Sequence, residues 1–117
     1  MDPDALKKSL ITVSIEGMRF ARTATRAISK LEAHEQTKYI GAIKFFKKSI
    51  DEQLAPHGIR FVSYEGVVFD PGFPVTALNL SDFSPGDLLY VDQTLEPTVI
   101  DNDVIVRMGS VILKRGM

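Results

Sequence analysis

The first half of the chain carries apolar residues at helical spacing. Leu6, Leu10, Val13, Gly17, Ala21, Ala24, Ile28 and Leu31 recur at intervals of three and four. At 100° per residue they fall within an arc of about 80°, which predicts a helix from Asp4 to about Glu32 with one packing seam. Ile11, Ile15 and Met18 form a second, shorter stripe. Asp2 or Asp4 is placed to cap the start. A second helical pattern runs from Glu35 to about Leu54. Ile40, Ile43, Phe46, Ile50 and Leu54 share a face, Tyr39 lies at its edge, and Phe45 points elsewhere beside Ala42. Pro56-His57-Gly58 ends this pattern, with Gly58 able to take a left-handed conformation. The short polar connection around Ala33-His34-Glu35-Gln36 predicts an antiparallel helical hairpin.

The second half changes period and punctuation. Strands are predicted over 60–64 and 67–69 around the tight turn Glu65-Gly66. Asp70-Pro71-Gly72-Phe73-Pro74 reads as a rigid, non-strand segment. Residues 75–80 and 87–91 read as strands around Ser84-Pro85-Gly86. Residues 98–100 and 104–107 flank Asp101-Asn102-Asp103, a further hairpin signal, and 110–113 form a last strand. Six of the eight glycines and four of the six prolines lie from Gly58 onward. Helices followed by strands without alternation predict an α+β fold. The expected division is a helical segment over 1–58 and a small β-rich head over 59–117.

Dimensions then bear on assembly. A first helix of about 28 residues spans roughly 42 Å. A compact unit of about 59 residues is roughly 27 Å across, too short to cover the hairpin along its length. One antiparallel neighbour covers the main seam only. The remaining apolar positions predict a homodimer in which two hairpins form a four-helix bundle. Leu10, Ile11, Ile15, Met18, Ile28, Ile43 and Phe46 are the expected dimerisation residues.

Composition narrows the chemistry. The chain has 117 residues, 14 Lys+Arg, 15 Asp+Glu, 44% hydrophobic residues and no cysteine. It reads as a globular protein with no global attraction to nucleic acid or anionic membrane. Lack of cysteine excludes disulfides, thiolate metal sites and a cysteine nucleophile. No apolar run approaches the roughly 20 residues of a membrane span. Met1-Asp2-Pro3-Asp4 lacks the layout of a signal peptide, so a cytoplasmic location is expected. The near-zero net charge hides a split. Residues 1–58 hold ten basic and seven acidic side chains, a net of +3, and residues 59–117 hold four and eight, a net of −4. Arg19, Arg22, Arg26 and Lys30 form a basic row opposite the main seam, read either as a solvated face or as a contact for an acidic partner.

Catalytic patterns are absent from the sequence. His34 and His57 are the only histidines and have no ligand-spaced neighbours. No phosphate-binding or nucleophile-elbow glycine motif occurs. Asp101-Asn102-Asp103 begins like a calcium loop, but Ile112 stands where the loop's last glutamate belongs. The expectation is a non-enzyme with no metal or cofactor.

One ordered set of residues points further. Gly41 opens Gly41-Ala42-Ile43-Lys44-Phe45-Phe46-Lys47-Lys48-Ser49-Ile50. Gly66-x-x-Phe69-Asp70-Pro71 follows, then Pro85-Gly86-Asp87-Leu88-Leu89 and Val111-Ile112-Leu113-Lys114. From about Leu10 to Lys114 this order resembles the GrpE family, the nucleotide exchange factors of DnaK-type chaperones. Most of that family's long N-terminal coiled coil has no counterpart here. The resemblance implies a homodimeric co-chaperone whose β head binds the nucleotide-binding domain of its chaperone and promotes ADP release. The alternative it leaves is a GrpE-like dimeric interaction module without exchange activity, binding a different partner.

The resemblance also implies partner-binding positions. Phe69, Asp70 and Pro71 shape a loop facing the chaperone, and each also serves a plain structural role as core anchor or turn. Gly41 reads either as a close backbone approach at the junction of bundle and head or as a glycine in the helix's first turn. Ile112 lies near the contact surface or in the core. The chain departs from the family where a histidine is replaced by Pro74, where no Gly-Tyr pair follows Gln93, and where Asn102-Asp103 replaces Gly-Arg. Asp103 thus stands where the family has a contact arginine, and Arg107 is the nearby substitute.

Overall fold

Asp2 starts the first helix. Its carboxylate accepts the Asp4 backbone N–H at 3.0 Å, and Pro3, which has no N–H to lose, takes the first helical position. The computed structural model describes residues 2–116. Helix α1 spans Pro3–Ile28 and α2 spans Ala33–Leu54. The first helix ends four residues before Glu32, because polar side chains compete for its last carbonyls. The Ser29 hydroxyl donates to Arg26 O at 2.6 Å, and the Gln36 amide donates to the carbonyl of the C-cap residue Ser29 at 3.3 Å. Leu31 therefore lies outside the helix and is exposed. The second helix begins two residues before Glu35. It runs into a 3₁₀ turn at Ala55–His57, followed by Gly58 at φ +76°.

The chain forms two compact units, Met1–Pro56 and His57–Met117. In the first, α1 and α2 pack together, and a Cβ built at Gly17 would stand 3.0 Å from Ile50 Cδ1 and 3.2 Å from Phe46 Cζ. The stripe on α2 therefore meets α1 as its spacing predicts. The covered arc of α1 differs from the predicted seam. Ser14, Ile15 and Ala21 are its buried residues, whereas Leu6 and Val13 of the expected seam are exposed. The helix is rotated about its axis toward the second stripe, so that stripe is partly covered within one chain.

The second unit holds two three-stranded sheets. Strands β1 (Ile59–Val62), β4 (Thr98–Asp101) and β5 (Val104–Arg107) lie in the order β1-β4-β5, all antiparallel. Strands β2 (Val75–Ala77), β6 (Gly109–Arg115) and β3 (Leu89–Glu96) lie in the order β2-β6-β3, with β2 parallel to β6. The combination is α+β. The core comprises Val75, Leu89, Val91, Val111 and Leu113, with Tyr64, Phe69, Phe73, Ala77 and Phe83 packed against it. Tyr64 and Phe73 stack at 4.6 Å, and Phe69 meets Phe73 edge-on at 6.3 Å.

Three strand expectations are corrected. Residues 67–69 form no strand: Val68 makes one isolated bridge to Tyr90. The segment instead follows β3 irregularly, with Phe69 N–H on Leu89 O and Val91 N–H on Val67 O, before Asp70-Pro71 turns it away. The Glu65-Gly66 turn thus joins no hairpin, and β1 finds its partner in β4. Residues 75–80 and 87–91 do not pair around Ser84-Pro85-Gly86. Strand β2 stops at Ala77, a 3₁₀ turn forms at Leu80–Asp82, and β6 lies between β2 and β3. The hairpin at Asn102-Asp103 forms as predicted, with both residues at positive φ (48° and 69°), the pattern of a type I′ turn.

Candidate functional site

In the helical unit, the expected dimerisation residues take several environments. Ile15 is 1% exposed in the single chain, which corrects its placement on a face left for a partner. Its burial contributes about 1.5–3 kcal/mol. Leu10, Ile11, Met18, Ile28 and Ile43 are partly covered, and Phe46 is exposed at the edge of the seam that faces Gly17. A different row lies open. Leu6, Val13 and Phe20 recur every seven residues and are all more than half exposed, Val13 and Phe20 at 69% each. A seven-residue repeat is the seam along which one helix packs on another. Phe45 on α2 is also in solvent. Phe20 was not among the predicted residues; the repeat it completes is legible in the sequence once the covered face is known.

Gly41 lies in the third turn of α2, so its expected place in the first turn is corrected. A Cβ built there meets nothing within 4 Å. A mid-helix glycine costs about 1 kcal/mol relative to alanine, and no close packing inside the chain offsets that cost.

In the β unit, Phe69, Asp70 and Pro71 sit on one turn beside β3. Phe69 packs into the core, while Asp70 and Pro71 are exposed. The Asp70 carboxylate accepts Gly72 N–H at 2.7 Å, and its carbonyl accepts Phe73 N–H at 2.9 Å. These bonds fix an Asx turn whose outer surface is Pro71 and the remaining carboxylate oxygen. Asp103 and Arg107 belong to the other sheet. Asp103 is the second residue of the β4–β5 turn, and Arg107 Nη2 stands 3.6 Å from Glu96 Oε2. Ile112 lies on β6 between the core residues Val111 and Leu113, so its side chain faces away from them and is partly covered. The expected positions are thus spread over two sheets and, with Gly41, over both units.

Three polar side chains whose bonds no sequence pattern announces hold this unit. Asn79 pairs with the Leu113 backbone twice, accepting its N–H and donating to its C=O, both at 2.9 Å. Thr98 is fully buried and donates to Pro74 O at 2.8 Å. Glu65 accepts Thr94 N–H at 3.1 Å. Single Asn, Thr and Glu residues in a loop-rich segment give no pattern signal.

Neither histidine joins a polar cluster: His34 is a surface residue 3.3 Å from Glu35, and His57 is exposed. Among the described residues, no group of three or more His, Cys, Asp or Glu could hold a metal ion. Among the same residues, no helix is long and apolar enough to cross a membrane. No family model matches the chain, and no curated protein or solved structure is found similar to it.

Proposed function

We propose that this chain is a GrpE-like co-chaperone that binds the nucleotide-binding domain of a DnaK-type chaperone and promotes ADP release. The observation that carries the reading is the order of parts. Two long helices precede a small two-sheet β unit, and that unit presents Asp70-Pro71 on an exposed, internally bonded turn. The helices form an antiparallel hairpin, and two copies join as a four-helix bundle. The open row Leu6, Val13 and Phe20 supports that association.

The mechanism involves contact without bond chemistry. The β unit binds the open nucleotide cleft more tightly than the closed one. A tenfold preference corresponds to about 1.4 kcal/mol and shifts the cleft equilibrium by the same factor. Neither a cofactor nor a metal is required, and the work is done in the cytoplasm. Labelled ADP, preloaded on the DnaK-type chaperone of the same organism, leaves faster when the protein is added. An unchanged release rate at saturating protein overturns the reading.

A second reading is favoured by one residue. Asp103 puts a negative charge at the β-hairpin tip where the resembling family carries an arginine. On this reading the chain is a dimeric interaction module that binds a different partner without exchange activity. Binding to the chaperone with no faster ADP release supports that module.

A further inference from the structure

One face of α2 is apolar at a single point and basic around it. Phe45 is 73% exposed, the highest value among the large apolar side chains described. Residues 36–50 hold four lysines, Lys38, Lys44, Lys47 and Lys48, and no acid. Of the four, Lys48 alone has an ion pair among the described residues, an exposed one with Glu52 at 3.8 Å. On a helix of 3.6 residues per turn, Lys38 lies about 20°, Gly41 about 40°, and Ala42 and Lys48 about 60° from Phe45. All five positions are exposed. Phe46 and Ile50, which meet Gly17 of α1, lie about 100° and about 140° from Phe45, so the basic face is turned away from the α1 contact. Gly41 and Ala42 keep the helix surface low beside the ring.

We propose that this face binds an acidic helix of another protein, with one apolar residue of that helix set against Phe45. The lysines fix the charge of the partner, and their spacing fixes its form. At 1.5 Å per residue along the axis, Lys38 stands about 10 Å to one side of Phe45 and Lys48 about 5 Å to the other. A helical partner meets them with carboxylates seven and three positions from its apolar residue, both on that residue's own face. An extended strand at about 3.3 Å per residue reaches the same points at offsets of about three and about one, which turn both carboxylates to the opposite face. An anionic membrane is a poorer match. A helix lying in a membrane surface needs a broad apolar face, whereas this face offers one ring, and Glu52, about 20° from Phe45, faces the same way. A protein partner can leave the place opposite Glu52 uncharged, and a headgroup layer cannot. Single-stranded nucleic acid, whose successive bases stack on several rings, finds only one here. The contact uses neither Asp70-Pro71 nor the open row of α1, so it is separate from the proposed chaperone contact and from the proposed helical association.

The probe is a labelled synthetic helix of about eighteen residues, alanine-based, with leucine at its centre and glutamate three and seven positions to either side. Fluorescence anisotropy with the full chain is expected to show saturable binding that weakens as salt rises. The same peptide with glutamine for glutamate is expected to bind about tenfold more weakly, the order of several exposed charge pairs together. Phe45→Ala is expected to weaken binding of the acidic peptide about tenfold, the order of one aromatic anchor. Lys38→Gln with Lys48→Gln is expected to weaken it and to flatten the salt dependence. Phe20→Ala, which removes a comparably exposed ring from α1, is expected to leave it unchanged. All four side chains are exposed, so the variants keep their fold, which circular dichroism verifies. Equal binding of the two peptides, a folded Phe45→Ala variant that binds as the parent does, or retention on phosphatidylserine vesicles without binding of the acidic peptide overturns the proposal.

Discussion

Removing the Asn79 side chain is expected to unlock the end of β6. The Asn79 side chain grips both the N–H and the C=O of Leu113, and both bonds are 2.9 Å long. Leu113 is a core residue at 3% exposure, so its backbone is poorly placed to recruit water. Each lost hydrogen bond costs about 0.5–1.5 kcal/mol, so Asn79→Ala is expected to lose about 2 kcal/mol. A unit of about 60 residues has roughly 3–9 kcal/mol in total, so the loss is a large share. Urea denaturation of the full chain, followed by a β-unit probe such as Tyr64 fluorescence, reads the change in midpoint. Amide hydrogen exchange supplies the local reading: Leu113 N–H is protected in the parent and exchanges faster in the variant. A loss below about 0.5 kcal/mol with Leu113 still protected would refute the claim that this clamp holds the strand.

Three further outcomes follow from the same geometry. Gly109→Ala builds a Cβ 2.8 Å from Thr98 Oγ1 and 2.9 Å from Glu96 O, so it is expected to cost about 1–3 kcal/mol in urea unfolding. Gly41→Ala meets only open space and is expected to raise thermal stability by about 1 kcal/mol; if a partner's backbone approaches there, chaperone affinity falls at the same time. Val13→Ser combined with Phe20→Ser leaves the single-chain packing intact and is expected to reduce self-association in sedimentation, whereas unchanged association would exclude the helical row as an interface.

The parts legible in the sequence are those whose partners lie close along the chain. The two helices follow from three-and-four spacing, and the β4–β5 hairpin from Asp101-Asn102-Asp103, where two short polar residues take positive φ. The pairings without a local signal join distant segments. Strand β2 lies parallel to β6 although their first residues, Val75 and Gly109, are 34 positions apart. No turn motif announces such a pairing. Val67 and Val68 have the composition of a strand, yet Pro71 and the Asp70 turn end the segment after one bridge. The covered face of α1 departs from the expected seam because two apolar stripes lie side by side. Spacing locates both stripes, but only the packing of α2 decides how the helix is rotated between them. The candidate interaction residues divide in the same way. The exposed turn at Asp70-Pro71 is readable from its residues, while the solvent exposure of β5 depends on strand order.

The central position of β6 sets the order in which this protein can acquire its structure. The helices need only neighbours in the chain and can form within microseconds of being made. Strands β2 and β3 are synthesised before β6, and β6 is the strand that lies between them. At about 5–20 residues per second, the ribosome takes roughly 2–6 seconds to pass from Ala77 to Gly109. During that interval Val75, and Leu89 and Val91 once they are made, have no β6 to pack beside. The helical unit is therefore formed while the β unit is still open, and the association proposed for the helices can precede completion of the surface that the β unit is proposed to present.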